Sequence, residues 1–293
     1  MRDEAALFLS FIRVYLGFSA VFLLAVAGSC ALHAQEFASE MISTELREDG
    51  QPVRLEILIR RPDGPGPYPT VAFNHGSTGR GDDPALFRRS WTNLPAAKFF
   101  NEKGWMVVFP QRRGRGGSEG KYDEGFERDR SRYTCQPALS LPGVDRAIAD
   151  LDAVVAHLKT RPDVQPDRML IAGQSRGGIL SIAYAGERPG VFVGAINFVG
   201  GWMTDRCPDP RAINTATFRR GAAFKRPTLW LYGESDRFYS VSHSRSNFDA
   251  FVAAGGAGQF QTYAVPGQDN GHALISHPDL WRDRVDEYLR GLK

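Results

Sequence analysis

The stretch RMLIAGQSRGG, residues 168–178, decides the fold of this 293-residue chain. Residues 169–172 form a short, wholly apolar run, which is typical of a strand buried on both faces. The pattern Gly-x-Ser-x-Gly follows around Ser175, and a helical stretch begins directly after it. A strand, a tight turn and a helix in this order predict a turn that lifts the Ser175 hydroxyl above the edge of a sheet.

The residues of this turn suggest its chemistry. Gly173 and Gly177 permit a tight, strained backbone where a Cβ would clash. A serine hydroxyl is a poor nucleophile at neutral pH unless a general base takes its proton. The backbone N–H of Arg176, at the start of the helix, can point at an oxygen on which negative charge develops. Ser175 is therefore the predicted nucleophile, and Arg176 is a predicted oxyanion donor.

A base for Ser175 is sought among the histidines. His272 ends the segment GQDNGH, which follows the last predicted strand and precedes the last predicted helix. A loop at the carboxyl end of a parallel sheet can reach the nucleophile, so His272 is the predicted base. His277 is the competing candidate, His75 lies at the end of an earlier strand, and His157 lies on an amphipathic helix beside core positions, where a structural role is expected.

A carboxylate is needed to hold the tautomer of the base and to stabilise its cation. The segment Gly233-Glu234-Ser235-Asp236 directly follows a predicted strand. Asp236 is the predicted acid, and Glu234 is the alternative. The resulting chain order is Ser175, Asp236 and His272, with each residue placed after a strand.

Strands and helices alternate along the rest of the chain. Apolar runs predict strands at residues 70–74, 105–109, 168–172, 192–199, 228–232 and 260–265, and helical spacing predicts helices at residues 95–102, 144–158, 179–186, 244–254 and 278–292. Residues 53–60 begin with the alternation of an antiparallel strand at the edge of a sheet. Residues 111–142 and 201–227 are predicted to be irregular. The alternation predicts an α/β fold with a mostly parallel central sheet and helices on both faces.

The order of these motifs resembles the α/β-hydrolases, and among them the dienelactone-hydrolase-like and prolyl-oligopeptidase-like serine esterases. The resemblance covers about residues 50–293 and rests on five landmarks in the family's order: His75-Gly76-Ser77, Arg113-Gly114-Arg115-Gly116, the turn at Ser175, Gly233-x-x-Asp236 and Asn270-Gly271-His272. It implies a single-domain α/β-hydrolase fold in which the N–H of Ser77, next to Gly76, is the second oxyanion donor. Dienelactone hydrolases proper use a cysteine nucleophile, so their lactone substrate does not carry over to a chain with Ser175.

The resemblance implies a serine hydrolase that cleaves small-molecule carboxylic esters through an acyl-enzyme, with no metal or organic cofactor. A serine peptidase, an acyltransferase and a non-catalytic binding module on the same scaffold are the alternatives. Lysine and arginine together number 36 against 33 acidic residues, and this small excess gives no basis for nucleic-acid binding. Hydrophobic residues make up 42% of the chain, as in an ordinary globular protein.

Residues 1–34 have the features of a secretory signal peptide. Arg2 and Arg13 precede an uncharged, largely apolar run, and small residues lead to Ala34. Cleavage after Ala34 would leave a catalytic domain of residues 35–293, located in the periplasm or secreted and not stably inserted in a membrane. An uncleaved membrane anchor is the alternative.

Two cysteines, Cys135 and Cys207, remain after the predicted cleavage, one in each irregular segment. In an oxidising compartment they predict a disulfide that joins the two segments near the site entrance, and two free thiols are the alternative.

The two irregular segments, of about thirty residues each, are too short for a large lid domain. Their aromatic residues are predicted to line an acyl or alcohol pocket: Tyr122, Phe126, Tyr133, Trp202 and Phe218. The cluster Arg112, Arg113 and Arg115 either binds an acidic group of the substrate or belongs to a solvated or internally paired loop.

Overall fold

The computed structural model describes residues 37–267 and 270–292, and the predicted leader, residues 1–34, lies outside them. Helices and strands alternate along the described chain. The strands are β1 (Ala38–Ile42), β2 (Arg47–Glu48), β3 (Gln51–Pro52), β4 (Leu55–Arg60), β5 (Tyr68–Asn74), β6 (Met106–Pro110), β7 (Val164–Gln174), β8 (Gly194–Phe198), β9 (Thr228–Gly233) and β10 (Gly258–Tyr263). The α-helices are α1 (Leu94–Glu102), α2 (Pro137–Thr160), α3 (Arg176–Glu187), α4 (Asn214–Arg220), α5 (Val241–Ala253) and α6 (Pro278–Gly291).

Eight of these strands form one sheet in the order β1-β4-β6-β5-β7-β8-β9-β10, and β2 pairs with β3. The six strands from β6 to β10 in this order are mutually parallel. β4 is antiparallel to β6, and β1 is antiparallel to β4. The carboxyl ends of β5, β7 and β9 therefore meet at one edge of the sheet, and each of them leads directly into a predicted site segment.

Helices cover both faces of the sheet. Every residue of β6, β8 and β9 is buried, which requires cover on both sides. One covering contact is the ring of Trp281 on α6, whose centroid lies 5.1 Å from that of Phe198 on β8 and 5.0 Å from that of Phe99 on α1. The predicted fold class, a single-domain α/β-hydrolase fold with a mostly parallel sheet and no large lid domain, is confirmed.

Three local predictions differ from the structure. β1, which was not predicted, is the antiparallel edge strand, and the predicted edge strand β4 is second in the sheet. Of the five residues of β1 only Ile42 is buried, so the strand has no apolar pattern. Residues 201–227 are not wholly irregular, because α4 lies among them. α2 begins at Pro137 and includes Pro142, although proline usually ends a helix.

Close packing explains the longer α2. A Cβ on Gly143 would lie 2.4 Å from the backbone carbonyl carbon of Glu124, so the first turns of α2 lie directly against residues 124–125. This tertiary contact offsets the hydrogen bond that Pro142 cannot make. Within the described ranges, no helix is both long and apolar enough to cross a membrane.

Candidate active site

Ser175 occupies the turn between β7 and α3, as the sequence predicts. Its backbone has φ 56° and ψ −123°, a conformation that costs a non-glycine residue about 1–3 kcal/mol. The Ser175 N–H donates to the carbonyl oxygen of Phe198 on β8 at 2.9 Å. The neighbouring strand therefore holds the turn in its strained conformation.

Close backbone packing fixes the glycines around this turn. A Cβ on Gly177 would lie 2.1 Å from the carbonyl oxygen of Asn74, at the end of β5. A Cβ on Gly173 would lie 2.2 Å from the carbonyl oxygen of Gly177. Real Cβ atoms do not approach backbone so closely, so only glycine lets α3 start this near to β5 and β7.

His272 and Asp236 form a hydrogen-bonded pair. His272 Nδ1 lies 2.8 Å from Asp236 Oδ2, and the Asp236 side chain has no exposed surface. The other carboxylate oxygen, Oδ1, accepts from the backbone N–H groups of Phe238 at 2.8 Å and Tyr239 at 3.2 Å. Both carboxylate oxygens are thus hydrogen-bonded. Because a carboxylate only accepts, Nδ1 of the imidazole carries the hydrogen, and Nε2 of the neutral ring can accept a proton.

The segments that carry these two residues pack backbone against backbone. Asp236 and Asn270 form an antiparallel bridge. A Cβ on Gly271 would lie 2.2 Å from the carbonyl oxygen of Glu234. The glycine next to His272 is therefore needed for the close approach that brings the imidazole to Asp236.

The other candidate base and acid lie elsewhere. His277, the competing base, directly precedes α6, and its backbone N–H donates to the carbonyl oxygen of Leu274 at 3.0 Å. Glu234 is exposed, whereas Asp236 is buried and bonded to His272. His75 is completely buried, accepts at Nε2 from the Arg112 N–H at 3.2 Å, and has Nδ1 2.7 Å from the carbonyl oxygen of Gly76. Burial, together with the nearby Arg112 and Arg115 guanidinium groups, holds the pKa of His75 well below its usual range. Both ring nitrogens of His75 are occupied, so it does not offer a free base.

The predicted oxyanion donors flank Ser175. A Cβ on Gly76 would lie 3.1 Å from Ser175 Cβ and 3.7 Å from Ser175 Oγ, so the segment after β5 runs directly beside the hydroxyl. Ser77 follows Gly76 in this segment. Arg176 is the first residue of α3, where a backbone N–H has no acceptor one turn earlier in the helix.

A cavity of about 620 Å³ adjoins these donors. Its lining includes Ser77, Arg176 and four aromatic residues: Tyr133, Trp202, Phe238 and Tyr239. Of the predicted pocket aromatics, Tyr133 and Trp202 line this cavity.

The remaining predicted pocket residues pack elsewhere. Phe218 lies in the core with its ring centroid 4.5 Å from that of Trp230. Tyr122 and Phe126 belong to a small buried cluster with Phe87. Tyr122 and Phe126 therefore help to form a small separate core, whereas Phe218, on α4, belongs to the main core.

The predicted disulfide between Cys135 and Cys207 is present, with a Cα–Cα distance of 5.5 Å. Both cysteines line the cavity. The Arg176 guanidinium contacts one residue near each cysteine along the chain. The Tyr133 ring centroid lies 3.5 Å from Arg176 Cζ, and Met203 Sδ accepts from Arg176 Nη2 at 3.2 Å. The disulfide therefore joins the two segments that enclose this side chain.

The arginines after β6 are largely paired within the protein. Arg112 is buried and pairs with Glu124, and Arg113 is buried and pairs with Asp150. Arg115 is buried beside the same cluster, and its burial lowers its pKa. The interpretation as an internally paired loop is correct for Arg112 and Arg113.

Two features of the site were not predicted from the sequence. Tyr239 is buried beside the site, its hydroxyl donates to the carbonyl oxygen of Gly201 at 2.7 Å, and its burial raises its pKa to about 12. Glu124 contacts two arginines although it lies in a predicted loop. Neither residue stands in a motif, and only their three-dimensional contacts identify them. In the part of the chain that the structure describes, no group of three or more His, Cys, Asp or Glu residues could hold a metal ion.

Comparison with known proteins extends these findings. The sequence model of the dienelactone hydrolase family matches residues 92–279, more than half of the chain. The fold is similar to that of an esterase from Pyrococcus furiosus, with a TM-score of 0.60 and 19% identity over 88% of this chain and 90% of that chain. No curated protein is significantly similar to the chain in sequence.

Two further structures are similar. Est1E from Butyrivibrio proteoclasticus, solved with ferulic acid bound, has a TM-score of 0.56 and 15% identity over 86% of this chain and 98% of that chain. An acylaminoacyl peptidase from Pyrococcus horikoshii has a TM-score of 0.60 and 15% identity over 88% of this chain but 41% of that chain. At these identities the likeness concerns the fold alone.

Proposed function

Because this chain belongs to the dienelactone hydrolase family and is a hydrolase with the α/β fold, we propose that it is an exported serine hydrolase that cleaves small carboxylic esters. Ser175 is the nucleophile, His272 the general base and Asp236 the acid that orients it. The backbone N–H groups of Ser77 and Arg176 form the oxyanion hole, with Gly76 beside them.

The observation that carries the proposal is the 2.8 Å hydrogen bond between His272 Nδ1 and Asp236 Oδ2. This bond selects the tautomer whose Nε2 can accept a proton, and the buried carboxylate stabilises the imidazolium that results. The strained backbone of Ser175, at φ 56°, supports the same assignment because such strain concentrates at functional residues.

The reaction then proceeds in two halves. Ser175 Oγ attacks the ester carbonyl carbon while His272 Nε2 takes the hydroxyl proton, and the tetrahedral oxyanion accepts hydrogen bonds from the Ser77 and Arg176 N–H groups. The bond to the alcohol oxygen breaks as His272 returns the proton to the leaving alcohol. Water then attacks the acyl-enzyme by the same route, which releases the carboxylic acid and restores Ser175.

The cavity supports a small ester with room for an aromatic group. Its volume of about 620 Å³ and its aromatic lining, which includes Tyr133 and Phe238, suit a compact apolar group beside the proposed oxyanion donors. Ferulic acid is a ligand of Est1E and not of this chain, but it makes a ferulate ester a reasonable member of a test panel. Export is supported by the signal-peptide features of residues 1–34 and by the disulfide between Cys135 and Cys207.

Turnover of 4-nitrophenyl acetate, butyrate and octanoate and of methyl ferulate tests the proposal. Protein purified from cells that express the full chain is compared with its Ser175→Ala variant. We expect hydrolysis of at least one ester by the wild type and none above background by the variant. Hydrolysis of peptide amides alone, or transfer of the acyl group to an added alcohol in place of water, would replace the esterase assignment by a peptidase or an acyltransferase.

N-terminal sequencing of the protein from the cell exterior or periplasm tests cleavage after Ala34.

A further inference from the structure

A buried carboxylate, that of Glu124, contacts two arginines from separate parts of the chain. It accepts a hydrogen bond from Arg112 Nε, and its Oε2 lies 3.6 Å from Arg176 Nη1. The same Arg176 nitrogen donates to the backbone carbonyl of Glu124 at 2.6 Å. Burial opposes the charge of Arg112, but Glu124, Tyr122 and Asp150 together outweigh this effect and raise the pKa of the guanidinium. Glu124 thus joins two charged side chains, one of which belongs to a proposed oxyanion donor.

Arg112 in turn contacts the peptide that carries the other donor. Its guanidinium donates to the carbonyl oxygens of His75 at 3.0 Å and Gly76 at 3.5 Å. The His75 imidazole also donates to the Gly76 oxygen, from Nδ1 at 2.7 Å. Because a peptide group is planar and trans, fixing the Gly76 carbonyl fixes the Ser77 N–H, which points the opposite way.

A second path leads from Glu124 to the residue after Ser77. The Tyr122 hydroxyl donates to Glu124 Oε2 at 2.8 Å, so its oxygen accepts from the Tyr133 hydroxyl at 2.9 Å. The Tyr133 oxygen accepts the backbone N–H of Thr78 at 3.1 Å. Side chains connected to Glu124 therefore hold the peptide groups on both sides of Ser77.

We propose that Glu124 is a positioning residue that holds both oxyanion donors, Ser77 and Arg176, in the geometry that the transition state requires. The inference rests on the proposed function, because it presumes that these two N–H groups bind the oxyanion. Glu124 acts through Arg112, Tyr133 and Arg176 and does not touch the substrate. Its effect belongs to the transition state, since the carbonyl oxygen becomes an anion only there.

Glu124→Gln removes the charge and one acceptor while it keeps the shape of the side chain. Loss of one oxyanion donor lowers kcat by about 100- to 1000-fold in other enzymes, so loosening of the donors is expected to lower kcat by about 10- to 100-fold. KM is expected to stay within about twofold, because the lost interaction is absent from the ground state.

Asp150→Asn is the matched control. The Asp150 side chain is as buried as that of Glu124, and Asp150 Oδ2 accepts the backbone N–H of Arg113 at 2.9 Å. Arg113 Nη2 then donates to the carbonyl of Arg146 on α2 at 3.1 Å and not to the segment of Ser77. This variant breaks an equivalent buried pair and is expected to lower stability while it leaves kcat within about twofold.

The test measures kcat and KM for 4-nitrophenyl butyrate and urea unfolding for the wild type and both variants. Tyr133→Phe, which deletes only the hydroxyl that binds Thr78, serves if Glu124→Gln does not fold, and a loss of kcat of several-fold at unchanged KM is expected for it. An active wild type whose kcat is unchanged in Glu124→Gln or, failing that, in Tyr133→Phe would overturn the positioning role and leave the proposed function standing. So would an equal loss of kcat in Asp150→Asn. A folded wild type without turnover of any ester would overturn the proposed function and this inference with it.

Discussion

Gln174 donates from Nε2 to the backbone carbonyl of His272 at 3.2 Å. The residue before the proposed nucleophile therefore holds the residue proposed as its base. The imidazole of the same residue is held separately, by the hydrogen bond of its Nδ1 to Asp236 at 2.8 Å. The geometry of the site thus depends on contacts between segments that follow different strands of the sheet.

Asp236→Asn should abolish most of the activity while the protein stays folded. Asparagine has no charge and only one acceptor oxygen. With that oxygen bonded to the backbone N–H groups of Phe238 and Tyr239, its NH2 group would face His272 Nδ1 and favour the wrong tautomer. The corresponding change in serine proteases costs about 10⁴-fold in kcat. The exposed neighbour Glu234 provides a control, and Glu234→Gln should retain the activity of the wild type. Steady-state kinetics on both variants make the comparison, and equal activities would show that Asp236 does not orient the base.

Gly271→Ala should uncouple His272 from Asp236. The added Cβ would lie 2.2 Å from the carbonyl oxygen of Glu234 and 2.6 Å from the backbone nitrogen of Asp236, so the two segments must separate. A separation of about 1 Å can cost about 100-fold in rate. Gly291→Ala is the control, because nothing lies within 4 Å of its added Cβ. Activity and thermal unfolding of both variants are the readouts, and wild-type activity of Gly271→Ala would refute the packing argument.

Removal of the disulfide should destabilise the domain. The bridge joins Cys135 and Cys207, which are 72 residues apart in the sequence, and loss of such a cross-link typically costs about 2–4 kcal/mol. The double variant Cys135→Ser/Cys207→Ser should therefore unfold at a lower urea concentration than the oxidised wild type. Wild type treated with a reductant should unfold like the variant, and coincident unfolding curves before and after reduction would contradict the prediction.

Stability should fall in mild acid because of His75. Burial, together with Arg112 and Arg115, holds the pKa of His75 well below its usual range, whereas an unfolded histidine has a pKa of about 6.5. Above about pH 6.5 the imidazole is neutral in both states, so its contribution to stability is intact there. As the pH falls below about 6.5, only the unfolded chain binds the proton, and stability decreases by up to about 1.4 kcal/mol per pH unit.

His75→Gln removes this proton site. Urea unfolding of the wild type and the variant from about pH 7.5 to about pH 5 should give a shallower loss of stability in the variant. The loss should not vanish, because the pKa values of His157 and His243 are also lowered, in both cases first by burial. Identical slopes for the two proteins would show that His75 gains a proton in the folded state.

Sequence patterns were sufficient for the central architecture. The strands β6, β8 and β9 are short, largely apolar runs, and their burial on both faces is what such runs require. The turn at Ser175 was predictable because its glycines are required by close packing. A Cβ on Gly177 would lie only 2.1 Å from the carbonyl oxygen of Asn74. Elements whose formation depends on local pattern were therefore predicted well.

Elements that depend on contacts between residues distant in the sequence were not predicted. β1 has a single buried residue, Ile42, and forms because it pairs with β4. The start of α2 at Pro137 depends on the contact of Gly143 with Glu124. The contacts of Glu124 could not be predicted either, because its partners lie up to 52 residues away along the chain.

The most direct test of the account is covalent labelling of the nucleophile. Purified wild-type protein and its Ser175→Ala variant are treated with a fluorophosphonate, digested and analysed by peptide mass spectrometry. The account predicts one adduct per wild-type molecule, located on Ser175, and none on the variant. Labelling of a different residue, or the absence of any adduct on folded wild-type protein, would contradict the assignment of Ser175.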